Sequence, residues 1–258
     1  VRKARYDLSE DEVKPYLQLD KMVEAMFWSA GQLYDLSFRE TTGSISVFDP
    51  AVRTFEVTNS RTNAHVGVLY LDNFARDGKR SGAWMTTYRD QQRLAPAATT
   101  IASNNNNFTR GANGQPTLIS LDDAQTLFHE FGHVLHGVLS QTRYGLNAGT
   151  GVKRDFVEAP SQMYEEWPRR PEAQKLFNEV CPTCKPIDPQ LMERLNQARQ
   201  FGQGTRYARQ RLFAAYDMAL FSGKAADPMA VWSEMESKTP LGHVPGTQFP
   251  GTFGHIVG

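Results

Sequence analysis

Hydrophobic and polar positions change period twice along this chain. From Val13 to Tyr34, apolar side chains fall at Val13, Tyr16, Leu17, Val23, Met26, Phe27, Ala30, Leu33 and Tyr34. These intervals of three, four and seven gather them on one face of a helix. Ser9 and Glu12 have the form of a capping box. Pro15 disfavours a helix interior, so the main helix is predicted to begin near Pro15 instead. Between residues 44 and 107 the pattern turns strand-like: Arg53–Thr58, Val66–Leu71, Ala83–Tyr88 and Thr99–Ala102 are rich in β-branched and aromatic residues. Asn59-Ser60, Asp77-Gly78 and Ser81-Gly82 separate them as turns, which predicts a small, mainly antiparallel sheet. Asn104 to Asn107, followed by Gly111, Asn113 and Gly114, reads as a loop.

After Pro116 the helical period returns. Ser120, with Asp123 three positions on, marks a helix start. Leu121, Ala124, Leu127, Phe128, Phe131, Leu135 and Val138 then supply a continuous apolar stripe. A connector from Gly145 to Gly151, either a mobile segment or a plain turn, leads to a helix near Phe156–Trp167. Asp188-Pro189 opens another helix as cap and first helical residue. Gly202 and Gly204 break it, a further helix covers Pro228–Glu236, and the stretch from Gly242 to Gly258 reads as loop. The expected fold class is therefore α+β and mostly helical. Residues 44–107 form its sheet subregion, and residues 117–241 a helical region carrying the chemistry.

Composition narrows the function. Hydrophobic residues at 40% and charged residues at 22% fit a globular chain rather than a disordered one. Lys+Arg and Asp+Glu are equal at 28, so the formal net charge is +0, which argues against binding nucleic acid or a membrane surface by bulk charge. No apolar run is long enough for a transmembrane helix. Two cysteines in 258 residues cannot make a disulfide framework.

The segment His129-Glu130-Phe131-Gly132-His133 lies within the helix that starts near Leu121. Two histidines four apart differ by about 40° around the axis, so both imidazoles leave one face, one turn apart, and can share a zinc ion. Glu130, offset by about 100°, flanks that site, where it can hold a water. A site with one open position needs a third protein ligand. His136 shares the face but lies about 10 Å along the axis from His129, too far to join easily, and reads as a packed or supporting residue. The third ligand is expected from the next helix, where Asp155, Glu158, Glu165 and Glu166 are candidates. Pattern alone does not choose among them.

The run His129 to Gly137, followed by Arg154-Asp155-Phe156-Val157-Glu158-Ala159-Pro160-Ser161-Gln162, resembles the thimet oligopeptidase family of zinc peptidases. That family includes oligopeptidase A and the bacterial peptidyl-dipeptidases. Phe74 to Met85 and Lys3-Ala4-Arg5-Tyr6 resemble the peptidyl-dipeptidase branch most. The resemblance implies a zincin-like catalytic domain with one Zn2+ held by His129, His133 and Glu158, and Glu130 as general base. It implies hydrolysis of short peptides, with release of C-terminal dipeptides favoured over endopeptidase cleavage. It also matches His255 to a histidine that helps bind substrate and steady the oxyanion. Family members carry a Gly- and Tyr-rich loop after that position and an additional lobe before the catalytic region. The chain is therefore expected to be part of a longer protein, and to bind zinc while turning peptides over weakly by itself. The resemblance points to the bacterial cytoplasm ahead of the periplasm.

Three further features have competing readings. Ala97 to Asn104 could be a sheet edge that receives an extended peptide, or an ordinary edge strand. Cys181 and Cys184 have redox-motif spacing without a surrounding βαβ pattern, so surface cysteines are the expectation over a thiol redox protein. Arg194, Arg199, Arg206, Arg209 and Arg211 read as a solvated helix face, one of which could meet a substrate carboxylate. Outside the enzyme class, the rival is a zinc- and peptide-binding module without catalysis.

Overall fold

The structure is a computed structural model that describes residues 6, 10–169, 188–198, 201–223 and 226–256. The chain divides into two compact units: Ser9–Asp188, and Val1–Leu8 together with Pro189–Gly258. Its architecture is α+β, as the periodicities predict. Among the described residues no helix is long and apolar enough to cross a membrane.

The first unit opens with a short helical turn and a 3-10 turn, Lys14–Tyr16, before helix α1, Leu19–Tyr34. The main helix thus starts four residues later than Pro15. Gln18 is extended and bridges Leu118, which spends the local backbone groups on a strand contact before the helix can begin. Asp35, in the left-handed region at φ 54°, ends α1. Strand β1, Leu36–Glu40, follows directly, earlier than the strand-like stretch identified from sequence.

Strands β2 (Arg53–Asn59), β3 (His65–Phe74), β4 (Trp84–Arg89) and β5 (Thr100–Phe108) complete a five-stranded sheet in the order β1-β2-β3-β5-β4. Every neighbouring pair is antiparallel except β3 with β5, which run parallel. Two expectations are corrected here. Asn104–Asn107 is not a loop but the middle of β5, and Asn104, Asn105 and Asn106 are buried. Consequently Ala97–Asn104 does not form the sheet edge: β5 lies between β3 and β4, and β4 is outermost. The buried asparagines are held through their amide N–H groups. Asn105 Nδ2 donates to Trp84 O at 2.9 Å and Asn106 Nδ2 to Asn73 Oδ1 at 3.1 Å, while the partly exposed Asn107 donates to Gly82 O at 2.7 Å.

Helix α2, Leu121–Val138, packs on this sheet. Its start carries the expected capping box: Asp123 N–H donates to Ser120 Oγ and Ser120 N–H to Asp123 Oδ2. Two β5 side chains tie the helix down, Asn104 Nδ2 donating to Leu127 O at 3.1 Å and Thr100 Oγ1 to Gly137 O at 2.9 Å. Apolar packing does the rest. Phe131 is fully buried, its ring 5.7 Å from those of Phe27, Phe38 and Tyr164. Truncating a phenylalanine so placed costs about 3–5 kcal/mol.

Helix α3, Arg154–Tyr164, crosses back over α2. The connector before it is packed rather than loose: Gly149 N–H donates to Ser140 Oγ at 2.8 Å, and a Cβ on Gly149 would lie 3.1 Å from Gly137 Cα. The second unit contains α4 (Pro189–Ala198), α5 (Gln203–Phe221) and α6 (Pro228–Ser237). Gly202, at φ 79°, separates α4 from α5. Leu212, Tyr216 and Trp232 form a core there, with Phe213 and Phe249 against it.

Candidate metal centre

Helix α2 presents His129 and His133 one turn apart, with ring centroids 5.0 Å from each other. A glycine between them decides how closely α3 can approach. A Cβ on Gly132 would sit 2.6 Å from Ser161 Cα, so any larger residue would push α3 away. That approach explains a glycine in mid-helix, where it costs roughly 1 kcal/mol against alanine.

Helix α3 then delivers the Glu158 carboxylate to the histidine face, and Glu165 follows just past its end. Glu158 Oε2 lies 3.2 Å from His129 Nε2 and 3.2 Å from His133 Nε2. The three donor atoms fall within 4.8 Å of one another. Zinc bonds of about 2.0–2.2 Å at tetrahedral angles separate a nitrogen and an oxygen ligand by about 3.4 Å. The observed spacing and the His/His/carboxylate donor set therefore fit zinc. Ser161, fully buried, donates to the same Glu158 oxygen at 2.7 Å and fixes its direction. The Glu158 side chain is half exposed, so the group is open to solvent on one side.

Glu165 occupies a different place from the one weighed in the sequence. Its Oε1 is 2.6 Å from His129 Nδ1, on the far side of the ring from Glu158, and Gln125 Nε2 donates to its Oε2. Asp155 and Glu166 are not part of the three-ligand group. The spacing of Glu158 and Glu165, two helical turns, was the available sign that both face α2.

The electrostatics divide the two histidines. Burial opposes protonation of His129, but the Glu165 hydrogen bond and the carboxylates of Glu130, Glu158 and Glu165 outweigh it and hold its pKa above the ordinary value. Burial dominates at His133 and pulls its pKa down. Glu130 is buried, which raises its carboxyl pKa; His129 opposes the rise and the Glu158 carboxylate adds to it. The Met85 backbone of β4 lies beside Glu130 and lowers its carboxyl pKa. Sequence reading had no signal for that contact, because nothing in the local pattern places β4 outermost.

His136 is not a ligand. Its ring stands 6.1 Å from Phe156, edge to face, and burial lowers its pKa. It lines a cavity of about 350 Å³ together with Tyr34, Leu135, Met163 and Tyr164, and none of His129, His133 and Glu158 borders that cavity. His255 belongs to the 3-10 turn Gly254–Ile256 of the second unit, and its side chain lies outside the described residues. Arg199, Cys181 and Cys184 also lie outside them. Arg209 stacks over Phe213 and Phe249, at 5.3 and 5.5 Å, which gives it a packing role within its own unit.

The profile of peptidase family M3 matches residues 1–258. The chain belongs to peptidase family M3. It is 36% identical over 237 residues to dipeptidyl carboxypeptidase of Salmonella typhimurium, covering 92% of this chain and 33% of that protein. It is 33% identical over 259 residues to oligopeptidase A of Escherichia coli, covering 97% of this chain and 38% of that protein. Thimet-like oligopeptidase of Dictyostelium discoideum is 29% identical over 266 residues, covering 98% and 39%. This family M3 chain thus spans about a third of the length of the curated relatives it matches.

Proposed function

We propose that this chain carries the metal-binding heart of a zinc-dependent peptide hydrolase, with a zincin-like arrangement of α2 against the sheet. His129, His133 and Glu158 would hold one zinc ion. The observation that carries the reading is a single Glu158 oxygen placed 3.2 Å from both imidazole Nε2 atoms. A zinc ion held there supplies a Lewis acid that polarises a carbonyl and acidifies water to near neutral pH. Glu130 is the general base: its buried carboxylate receives the proton of the attacking water and returns it to the leaving amine nitrogen. The Met85 backbone beside it favours the ionised carboxylate.

The substrate is a short peptide in extended form. β4 is outermost among the described strands and runs against α2, which leaves one of its edges without a strand neighbour. Backbone groups on that side are available to an added strand, which gives affinity without demanding particular side chains. β4 takes the peptide-binding part first assigned to Ala97–Asn104. Relatives named for dipeptidyl carboxypeptidase and for oligopeptidase activity leave two specificities, of which we favour release of C-terminal dipeptides. His255 is proposed to steady the oxyanion, as the resemblance implies.

Metal analysis with peptide turnover tests the assignment. Wild type should contain about one zinc per chain and lose turnover to a chelator. Glu130→Gln should keep the metal and lose at least about 10²-fold in turnover, whereas Glu158→Ala should lose the metal. A Glu130→Gln variant with wild-type turnover would overturn the assigned base. Amidation of the peptide C-terminus separates the specificities: it should block a dipeptide-releasing enzyme and leave an endopeptidase unaffected.

A further inference from the structure

We propose that Glu165 is a positioning residue: it locks the His129 ring in the tautomer and orientation that turn Nε2 toward the metal. The proposal rests on the zinc-binding reading of His129, His133 and Glu158.

Helix α3 touches both nitrogens of one imidazole. Glu158 Oε2 lies 3.2 Å from His129 Nε2, while Glu165 Oε1 lies 2.6 Å from His129 Nδ1. An ionised carboxylate only accepts hydrogen bonds, so the contact at Nδ1 requires the ring proton there. Nε2 is then left with its lone pair directed into the ligand group. A charge-assisted bond of this length also makes the ring a stronger electron donor to a metal. Glu165 is itself held: Gln125 Nε2 donates to its other oxygen, and its backbone N–H donates to Ser161 O at 3.2 Å. Gln125 lies one turn before His129 on α2, so the support comes from the same two helices that carry the ligands.

The two histidines are therefore supported differently. His133 Nδ1 is buried and has no hydrogen-bond partner among the described residues. Glu158 meets that ring only at Nε2, so no acid at Nδ1 fixes its tautomer from behind. Of the pair, His129 is the one whose ligand geometry depends on a named side chain, and Glu165 is that side chain. Glu165 does not act as a ligand, because its carboxylate sits across the ring from Glu158.

The test is zinc affinity, measured by competition with a chromogenic chelator on wild type, Glu165→Gln and Glu165→Ala. Glutamine keeps the shape and removes the charge, so circular dichroism should be unchanged while affinity falls about 10- to 100-fold. Alanine should lose at least as much. Imidazole ¹⁵N–¹H spectra of the zinc-loaded protein give a readout that mere destabilisation would not move. In wild type the His129 Nδ1 proton should resonate far downfield; in Glu165→Gln it should move upfield with the His133 signals unchanged. Wild-type affinity in the glutamine variant, or an unmoved His129 proton, would overturn the proposal. A wild-type chain that binds no zinc would instead overturn the metal site itself, and that result is visible before any variant is made.

Discussion

Strands β3 and β5 lie side by side in the same sheet, parallel and both interior, yet they are built from opposite materials. Toward the helices β3 places Leu69 and Leu71, fully buried carbon that stabilises by leaving water. Opposite Leu71, β5 places Asn104, and beyond it Asn105 and Asn106, equally buried. Leucines hold neighbouring elements together without dictating their exact position. The asparagines spend their amides on chosen atoms: Leu127 O of the metal helix, Asn73 of β3, and Trp84 O at the start of the outer strand. The difference assigns stability mainly to β3 and position mainly to β5. That division suits a candidate metal site whose first residue, His129, sits two positions beyond Leu127.

Removing carbon from β3 should give the larger loss of stability. Leu69→Ala is expected to cost about 2–5 kcal/mol, read from the urea midpoint. Zinc affinity of the protein that remains folded should stay at its wild-type value. A smaller stability effect with a larger functional one is expected from Asn104→Leu. It removes the bond to Leu127 O and costs about 1–3 kcal/mol, but zinc should bind about tenfold more weakly because α2 loses the one of its two β5 ties that lies nearer His129. If both variants lowered affinity alike, the contrast between the strands would fail.

What the chain disclosed beforehand follows the same line. Helix α2 was legible because its cap, its apolar stripe and its paired histidines are all local, and local chemistry decides them. Strand β5 was misread because four consecutive asparagines look like a loop unless each amide's distant partner is known. β1 went unrecognised since its signal is weak: Phe38, stacked on Phe27 at 4.3 Å, is held by a helix partner rather than by strand alternation. Among the acids in and just after α3, pattern left Asp155, Glu158, Glu165 and Glu166 open, because which of them meets which nitrogen of His129 is decided by how α3 packs on α2. Gly132 was part of the motif, yet its reason, the 2.6 Å that a Cβ would leave to Ser161, belongs to tertiary packing.

X-ray absorption at the zinc edge of the loaded chain examines the proposed coordination most directly. Two imidazole nitrogens at about 2.0–2.1 Å and carboxylate or water oxygens at about 2.0–2.2 Å are expected, with the nitrogen contribution halved in His133→Ala. Sulfur scattering at about 2.3 Å would mean that Cys181 and Cys184 hold the ion instead, and the His129–His133–Glu158 centre would be wrong.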